Sequence, residues 1–316
     1  PRMSRHIAAV AKACGADALW VTSSPYTATV FGEAAARATG LPLVLDLRDP
    51  WTLNFMARES SWQRRFEQRA ERRVLAAADR VVLTCEAASA AYRQSYPELP
   101  EGHIHTIYNS FDPALAPAAT QLGTAPDTER VKIVHFGSCY GPRRLQAVLR
   151  AIALLRDRDG VAASAFELLN LGRVAAEDQE LAAELGIDEV LQHRPFVPYQ
   201  MGLEILASAD LLVLLAYGEE TLYIPAKLFD YLLVARPILC VAVQSELTDI
   251  IERTATGTWA APDDVTKIAA ELLRAHEAKR TKSSDFRPQS DAVEAFSAAR
   301  TTAQLAEVLD AACAGR

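Results

Sequence analysis

The stretch Ile224-Pro-Ala-Lys-Leu-Phe-Asp-Tyr-Leu-Leu-Val-Ala-Arg-Pro-Ile-Leu-Cys-Val-Ala242 reads as a loop, a short helix and an apolar strand. Its lysine, Lys227, stands at the helix N-terminus, where free backbone N–H groups and the positive end of the helix dipole favour an anion. Asp230 follows three residues later, one turn on and on the same side of the helix. A ribose diol can donate to that carboxylate while the lysine meets a diphosphate. The ordinary alternative is a solvated pair on an amphipathic helix. Against it stand Pro225, which fixes the loop ahead of the helix, and the apolar surroundings Leu228, Phe229, Tyr231 and Leu232. The pairing points to a nucleotide site, and so to an enzyme that uses an activated donor.

Working outward, strands and helices alternate along the whole chain, the pattern of an α/β protein with parallel sheets. The spacing predicts strands near 18–22, 42–47, 80–84 and 103–108, with helices near 26–39, 60–77 and 86–94. A second unit has strands near 131–136, 166–171, 189–192, 211–216 and 238–243. Its helices fall near 143–156, 176–185, 199–207, 226–234 and 246–252. Between the units, Asp112 to Glu129 is rich in Ala, Pro and Thr and reads as a linker. We expect two Rossmann-like domains: residues 1–117, a linker over 118–130, a second domain over 131–284, and a C-terminal helix within 285–316 that returns to the first. Small-molecule sites in such sheets lie beyond the carboxyl ends of the strands. The first strand follows a helix-like segment and no glycine-rich turn, so the N-terminal domain reads as incomplete.

The chain has 316 residues, of which half are hydrophobic and 23% charged, as in soluble globular proteins. A net charge of −7 leaves no domain-wide basic surface for nucleic acid. The five cysteines are scattered without a CxxC pair, and the six histidines lack metal-ligand spacing. No metal site, disulfide framework, signal peptide or membrane-spanning run is expected, and the reading is of a reduced, cytoplasmic protein.

Other charged constellations fall at strand ends. The turn His135-Phe-Gly-Ser-Cys-Tyr-Gly-Pro-Arg-Arg144 places Gly137, Arg143 and Arg144 at a helix start, a diphosphate cradle or a surface loop with solvated arginines. Asp46, Arg48 and Asp49 close an apolar strand, where charges are costly unless paired or in use. Ser23 and Ser24 read as helix N-caps or as hydroxyls lining a site. Glu219 and Glu220 lie within reach of a donor sugar or are loop charges. The helix Trp62–Arg73 holds five arginines and two glutamates. Such a run is usually a solvated face, here with Glu67 and Glu71 flanked by arginine. The alternative is a basic face resting on an anionic membrane surface, a peripheral contact through Arg64–Arg73.

Taken in order, Ser23-Ser-Pro, Asp46-Leu-Arg-Asp-Pro-Trp51, Ala78-Asp79 before a strand, Ile107-Tyr-Asn-Ser-Phe-Asp112, Gly137-Ser and Pro225-Ala-Lys-Leu-Phe-Asp-Tyr231 resemble glycosyltransferase family 4 (group 1). The resemblance implies retaining enzymes of the GT-B fold, with two Rossmann-like domains facing across a cleft. It implies a nucleotide-sugar donor and a carbohydrate, lipid or small-molecule acceptor, without cofactor or metal. By resemblance Gly137, Ser138, Arg143, Arg144 and Lys227 hold the diphosphate, Asp230 the ribose, and Ile224 adjoins the donor. Arg143 and Lys227 are the catalytic candidates. Ser23, Ser24, Arg48 and Asp49 fall where the family contacts the sugar or acceptor. The family carries glutamate at the position of Asp230, and the first glutamate of its pair falls at Leu222. The competing readings are a nucleotide-sugar epimerase on the same fold and a non-catalytic nucleotide-sugar-binding protein.

Overall fold

The computed structural model describes residues 2–53, 61–117, 129–216 and 222–315. Two compact units divide the chain. The first takes the residues up to Asn109, the segment ending at Ile224 and the residues from Ala299 on; the second takes Ser110–Glu219 and Pro225–Ala298.

In chain order the first unit contributes α1 (Arg2–Cys14), β1 (Leu19–Ser23), α2 (Thr27–Thr39), β2 (Leu43–Leu47), α3 (Ser61–Ala77), β3 (Arg80–Leu83), α4 (Glu86–Ser95) and β4 (Ile104–Thr106). Its strands form one parallel sheet in the order β1-β2-β3-β4. β2 is buried at every position, which is why it reads as an unbroken apolar run and not as an alternation.

The second unit contributes β5 (Val131–Phe136), α5 (Gln146–Asp159), β6 (Phe166–Leu171), α6 (Ala176–Glu184), β7 (Leu191–Arg194), α7 (Tyr199–Ala207), β8 (Leu211–Ala216), α8 (Lys227–Val234), β9 (Ile238–Ala242), α9 (Glu246–Thr254), β10 (Gly257–Ala260), α10 (Val265–Thr281) and α11 (Ser290–Glu294). Its six strands are parallel in the order β10-β9-β8-β5-β6-β7. Numbered from β5, this is the 3-2-1-4-5-6 order of a dinucleotide-binding sheet, with its switch point between β5 and β8. Ile133, Leu168, Val213 and Leu239 bury one sheet face against Val148, Ile152 and Leu155 of α5 and Ile268 and Leu272 of α10. Each such side chain contributes about 1.5–3 kcal/mol by leaving water. The C-terminal helix α12 (Ala298–Ala314) packs Val308 and Ala312 on Val44 and Val82 of the first sheet and on Ile107 just after β4.

Several elements differ from their expected form. α5 begins at Gln146 and not at 143, so Arg143 and Arg144 lie in the turn ahead of it. β7 sits two residues later than expected, because a 3-10 turn over Asp188–Val190 takes up the start of the run. β10 was not anticipated: four residues beginning with glycine give too short a pattern, and pairing with β9 makes the strand. Ser23 and Ser24 do not cap α2; the residue ahead of it is Tyr26, with no side-chain cap bond. Most of the expected linker, 118–128, lies outside the described residues. Among the described residues no helix is long and apolar enough to cross a membrane.

The largest correction concerns α3. Its two glutamates are not part of a solvated face. Glu71 is 1% exposed and accepts from Tyr92 Oη at 2.5 Å, Tyr96 Oη at 2.6 Å, the Thr52 amide at 3.3 Å and the Thr52 hydroxyl. Glu67 accepts from Trp51 Nε1 at 2.7 Å. Glu71 anchors α3 to α4 and to the chain after β2, and Glu67 anchors it to the latter alone. Replacing Glu71 by alanine strands several donors in the interior, and buried unmet donors cost about 1–3 kcal/mol each. We expect Glu71→Ala to lower stability by roughly 3 kcal/mol or more in urea denaturation and Glu67→Ala by clearly less. Equal small losses would remove Glu71 as the anchor.

Candidate donor-nucleotide site

The site grows from the ends of the switch-point strands. β5 and β6 run in register, so that His135 lies directly opposite Asn170. Both are fully buried polar residues flanked in their strands by apolar side chains. Asn170 donates its amide N–H to the carbonyls of Gly172 (3.0 Å) and Arg173 (3.3 Å). Its Oδ1 therefore faces His135 Nδ1, 2.6 Å away, and must accept. On this hydrogen-bond network the imidazole carries its proton on Nδ1 and presents a lone pair at Nε2.

That lone pair meets Lys227 Nζ at 3.1 Å. Burial first, and then the positive charge of Lys227, push the His135 imidazole down to about 3, so it stays neutral. Lys227 is itself held down to about 8, by burial and by the neighbouring Arg143 guanidinium. Among the described residues no carboxylate forms an ion pair with it. An ammonium supported by a neutral ring and flanked by a second cation is electrostatically incomplete until an anion arrives.

The backbone is shaped to that ammonium. Gly137, at φ 130°, has no side chain, and a Cβ there would come 2.8 Å from Lys227 Nζ. Gly172, at φ 139°, would place a Cβ 2.6 Å from the Gly137 carbonyl. Bonds from Gly137 N to Leu171 O and from Cys139 N to Arg173 O, both 2.8 Å, tie the two loops together. Tyr231 fixes α8 above the switch point: its hydroxyl accepts from the Phe136 amide (2.9 Å) and donates to the Val213 carbonyl (3.0 Å), one on β5 and one on β8.

The remaining candidates sort unequally. Arg143 donates to Tyr140 Oη at 2.8 Å and stacks its guanidinium 5.3 Å from that ring. Its charge is felt at both Lys227 and His135. Arg144 turns elsewhere: it forms a bidentate pair with Glu177 (2.7 and 3.0 Å) and bonds the Gly141 carbonyl. It fastens the turn to α6. Ser138 Oγ accepts from the Arg173 amide at 3.4 Å. Asp230 accepts from Tyr199 Oη at 2.5 Å, and burial raises its carboxyl against the opposing pull of Tyr199 and Lys227. Ile224 is buried in a segment that falls in the first unit. Glu219 and Glu220 lie outside the described residues.

In the first unit, Arg48 reaches Asp46 at 3.4 Å and also donates to Asn109 Oδ1. The expected internal Arg–Asp pair is present. Ser23 Oγ is buried with no hydrogen-bond partner, and Asp49 offers its carbonyl to Tyr26 Oη at 3.5 Å. His135, Asn170 and Tyr199 were missed as site residues. The signal for the first two was a polar residue at matching depth in two neighbouring apolar strands.

Residues 1–110 match the model of a glycosyl transferase 4-like domain, and residues 130–278 match that of the glycosyl transferases group 1. A comparison with curated protein sequences finds no match. Among solved structures, Anabaena HepE in complex with UDP superposes with a TM-score of 0.72 at 15% identity, over 97% of this chain and 81% of that one. Sucrose-phosphate synthase from Thermosynechococcus elongatus gives 0.71 at 14% identity, over 100% and 78%. Trehalose 6-phosphate synthase from Burkholderia multivorans gives 0.69 at 13%, over 99% and 75%. These likenesses carry the fold, and the two family models carry the kinship. The chain belongs to the group 1 (family 4) glycosyltransferases and has their GT-B fold.

Proposed function

We propose that the protein transfers a sugar with retention from a nucleoside-diphosphate donor to a carbohydrate, lipid or small-molecule acceptor, without a metal ion, in cytoplasmic assembly of cell-envelope or extracellular polysaccharide. One observation carries the donor half of this reading: the Lys227 ammonium at the start of α8, 3.1 Å from a neutral histidine and close under Gly137. The HepE complexes with UDP and with UDP-glucose support a nucleoside-diphosphate sugar as the donor class.

In this reading the anomeric C–O bond breaks toward an oxocarbenium-like state, and negative charge gathers on the departing diphosphate. Lys227, Arg143 and the first N–H groups of α8 meet that charge. Their attraction is stronger in the transition state than in the ground state, the condition for acceleration. Asp230, oriented by Tyr199, takes the ribose diol. Arg48, Asp49, Ser23 and Ser24 are proposed for the sugar and acceptor, Ile224 adjoins the donor, and Ser138 lends its backbone to the cradle.

The test is transfer from labelled nucleotide sugars to a panel of acceptors. Lys227→Ala and Arg143→Ala should each lower turnover by about 100-fold or more while leaving the melting curve cooperative. Unchanged kinetics for Lys227→Ala would sink the diphosphate assignment. Saturable donor binding with no transfer and no slow hydrolysis would favour the binding-protein alternative. Interconverted free donor would favour the epimerase.

A second expectation concerns pH. Lys227 in the free protein loses its proton as pH rises through about 8. A bound diphosphate favours the charged form and raises that value. Affinity for a nucleoside diphosphate should therefore be flat below this range with respect to Lys227 and fall as pH rises above it, with proton uptake on binding. Calorimetry in two buffers of different ionisation enthalpy at about pH 9 reads that uptake. Zero uptake in the parent protein, or the same uptake in Lys227→Met, contradicts the assignment.

A further inference from the structure

α3 separates its charges by face. With about 3.6 residues per turn, Glu67, Glu71, Val74 and Leu75 share one side, and their contacts point them inward. Trp62, Arg65, Phe66, Arg69, Arg72 and Arg73 share the other. Both carboxylates of the helix are consumed by the interior, so the outward stripe is arginine and aromatic with no acid of its own. Trp62 is 69% exposed and Phe66 67%. Arg72 pairs with Glu98 and lies 5.2 Å from the Tyr96 ring, and Arg73 reaches Glu33 at 3.7 Å. Among the described residues no carboxylate pairs with Arg65 or Arg69. Beside the stripe is an open cavity of about 380 Å³ lined by Arg65, Gln68, Arg69, Arg72, Ser95 and Tyr96, together with Thr52 and Leu53.

A purely solvated helix gains nothing from exposing an indole and a phenyl ring side by side. We propose that this face of α3 docks the protein on an anionic lipid bilayer, the helix lying in the plane of the surface. Trp62 and Phe66 enter the interfacial region, where an amphipathic ring is favoured. Arg65 and Arg69 meet lipid phosphates, and the cavity between Arg65, Arg69 and Arg72 receives one headgroup. The whole chain carries −7, so attraction to an anionic surface must come from a local patch such as this one. The aromatic pair favours a bilayer over a dissolved polyanion, because a bilayer offers an apolar layer beneath its phosphates.

Co-sedimentation with vesicles of phosphatidylcholine, with and without phosphatidylglycerol, tests the proposal. Binding is expected to the anionic vesicles only, weakening with salt. Arg65→Ala/Arg69→Ala and Trp62→Ser/Phe66→Ser should each lower the partition constant by about 10-fold or more. All six side chains on the stripe are exposed, so circular dichroism melts should match the parent. Inorganic phosphate should displace the protein no more than sodium chloride of the same ionic strength. Absence of binding to anionic vesicles overturns the proposal, as do double variants that bind like the parent. Displacement by phosphate beyond that of chloride at equal ionic strength, or binding to a single-stranded oligonucleotide as tight as to vesicles, assigns the patch to a soluble anion instead. Vesicle binding reads no turnover, so its failure leaves the transferase reading untouched.

Discussion

A half-buried ammonium with a neutral partner is the constraint around which the second unit is organised. Among the described residues no carboxylate forms an ion pair with Lys227, and Arg143 adds to its positive field. The protein tolerates this because His135 supplies a lone pair and Asn170 holds the ring in the tautomer that can supply it. Replace that support by a carboxylate and the site would satisfy itself internally, leaving no demand for a ligand. The arrangement thus holds a cationic site short of one anion.

Everything else in that unit serves the placement. The reversal of strand order between β5 and β8 opens the space beyond their carboxyl ends. Tyr231 bridges those two strands through a single hydroxyl and so sets where α8 begins. The side chain that fixes the helix lies one residue from Asp230 and one turn from Lys227. The residues proposed for the donor and the one that sets the sheet geometry therefore share the same two turns of helix.

Much of this was legible in the sequence. Apolar runs such as Leu211–Ala216 announced strands buried on both faces, and the segment around Lys227 and Asp230 announced the short helix α8. What was illegible depended on neighbours distant in the chain. Nothing local distinguishes Arg143 from Arg144, yet Glu177 captures one of them. Glu71 sits among arginines and reads as surface, until Tyr92, Tyr96 and Thr52 close over it. His135 is a lone histidine in an apolar strand; only register with Asn170 gives it a role. Periodicity reports which way a residue faces, whereas its partner is a property of the fold.

The paired glycines carry a different kind of consequence. Because a methyl group at Gly172 would strike the backbone of Gly137, and one at Gly137 would strike the lysine beneath, the two positions are not independent choices. A change at Gly172 is transmitted to the loop after β5, and a change at Gly137 to the lysine. For anyone diversifying this scaffold toward new donors, the loops after β5 and β6 behave as a single mechanical part. Variety is better introduced along α7 at Met201, which is exposed, than at the glycines themselves.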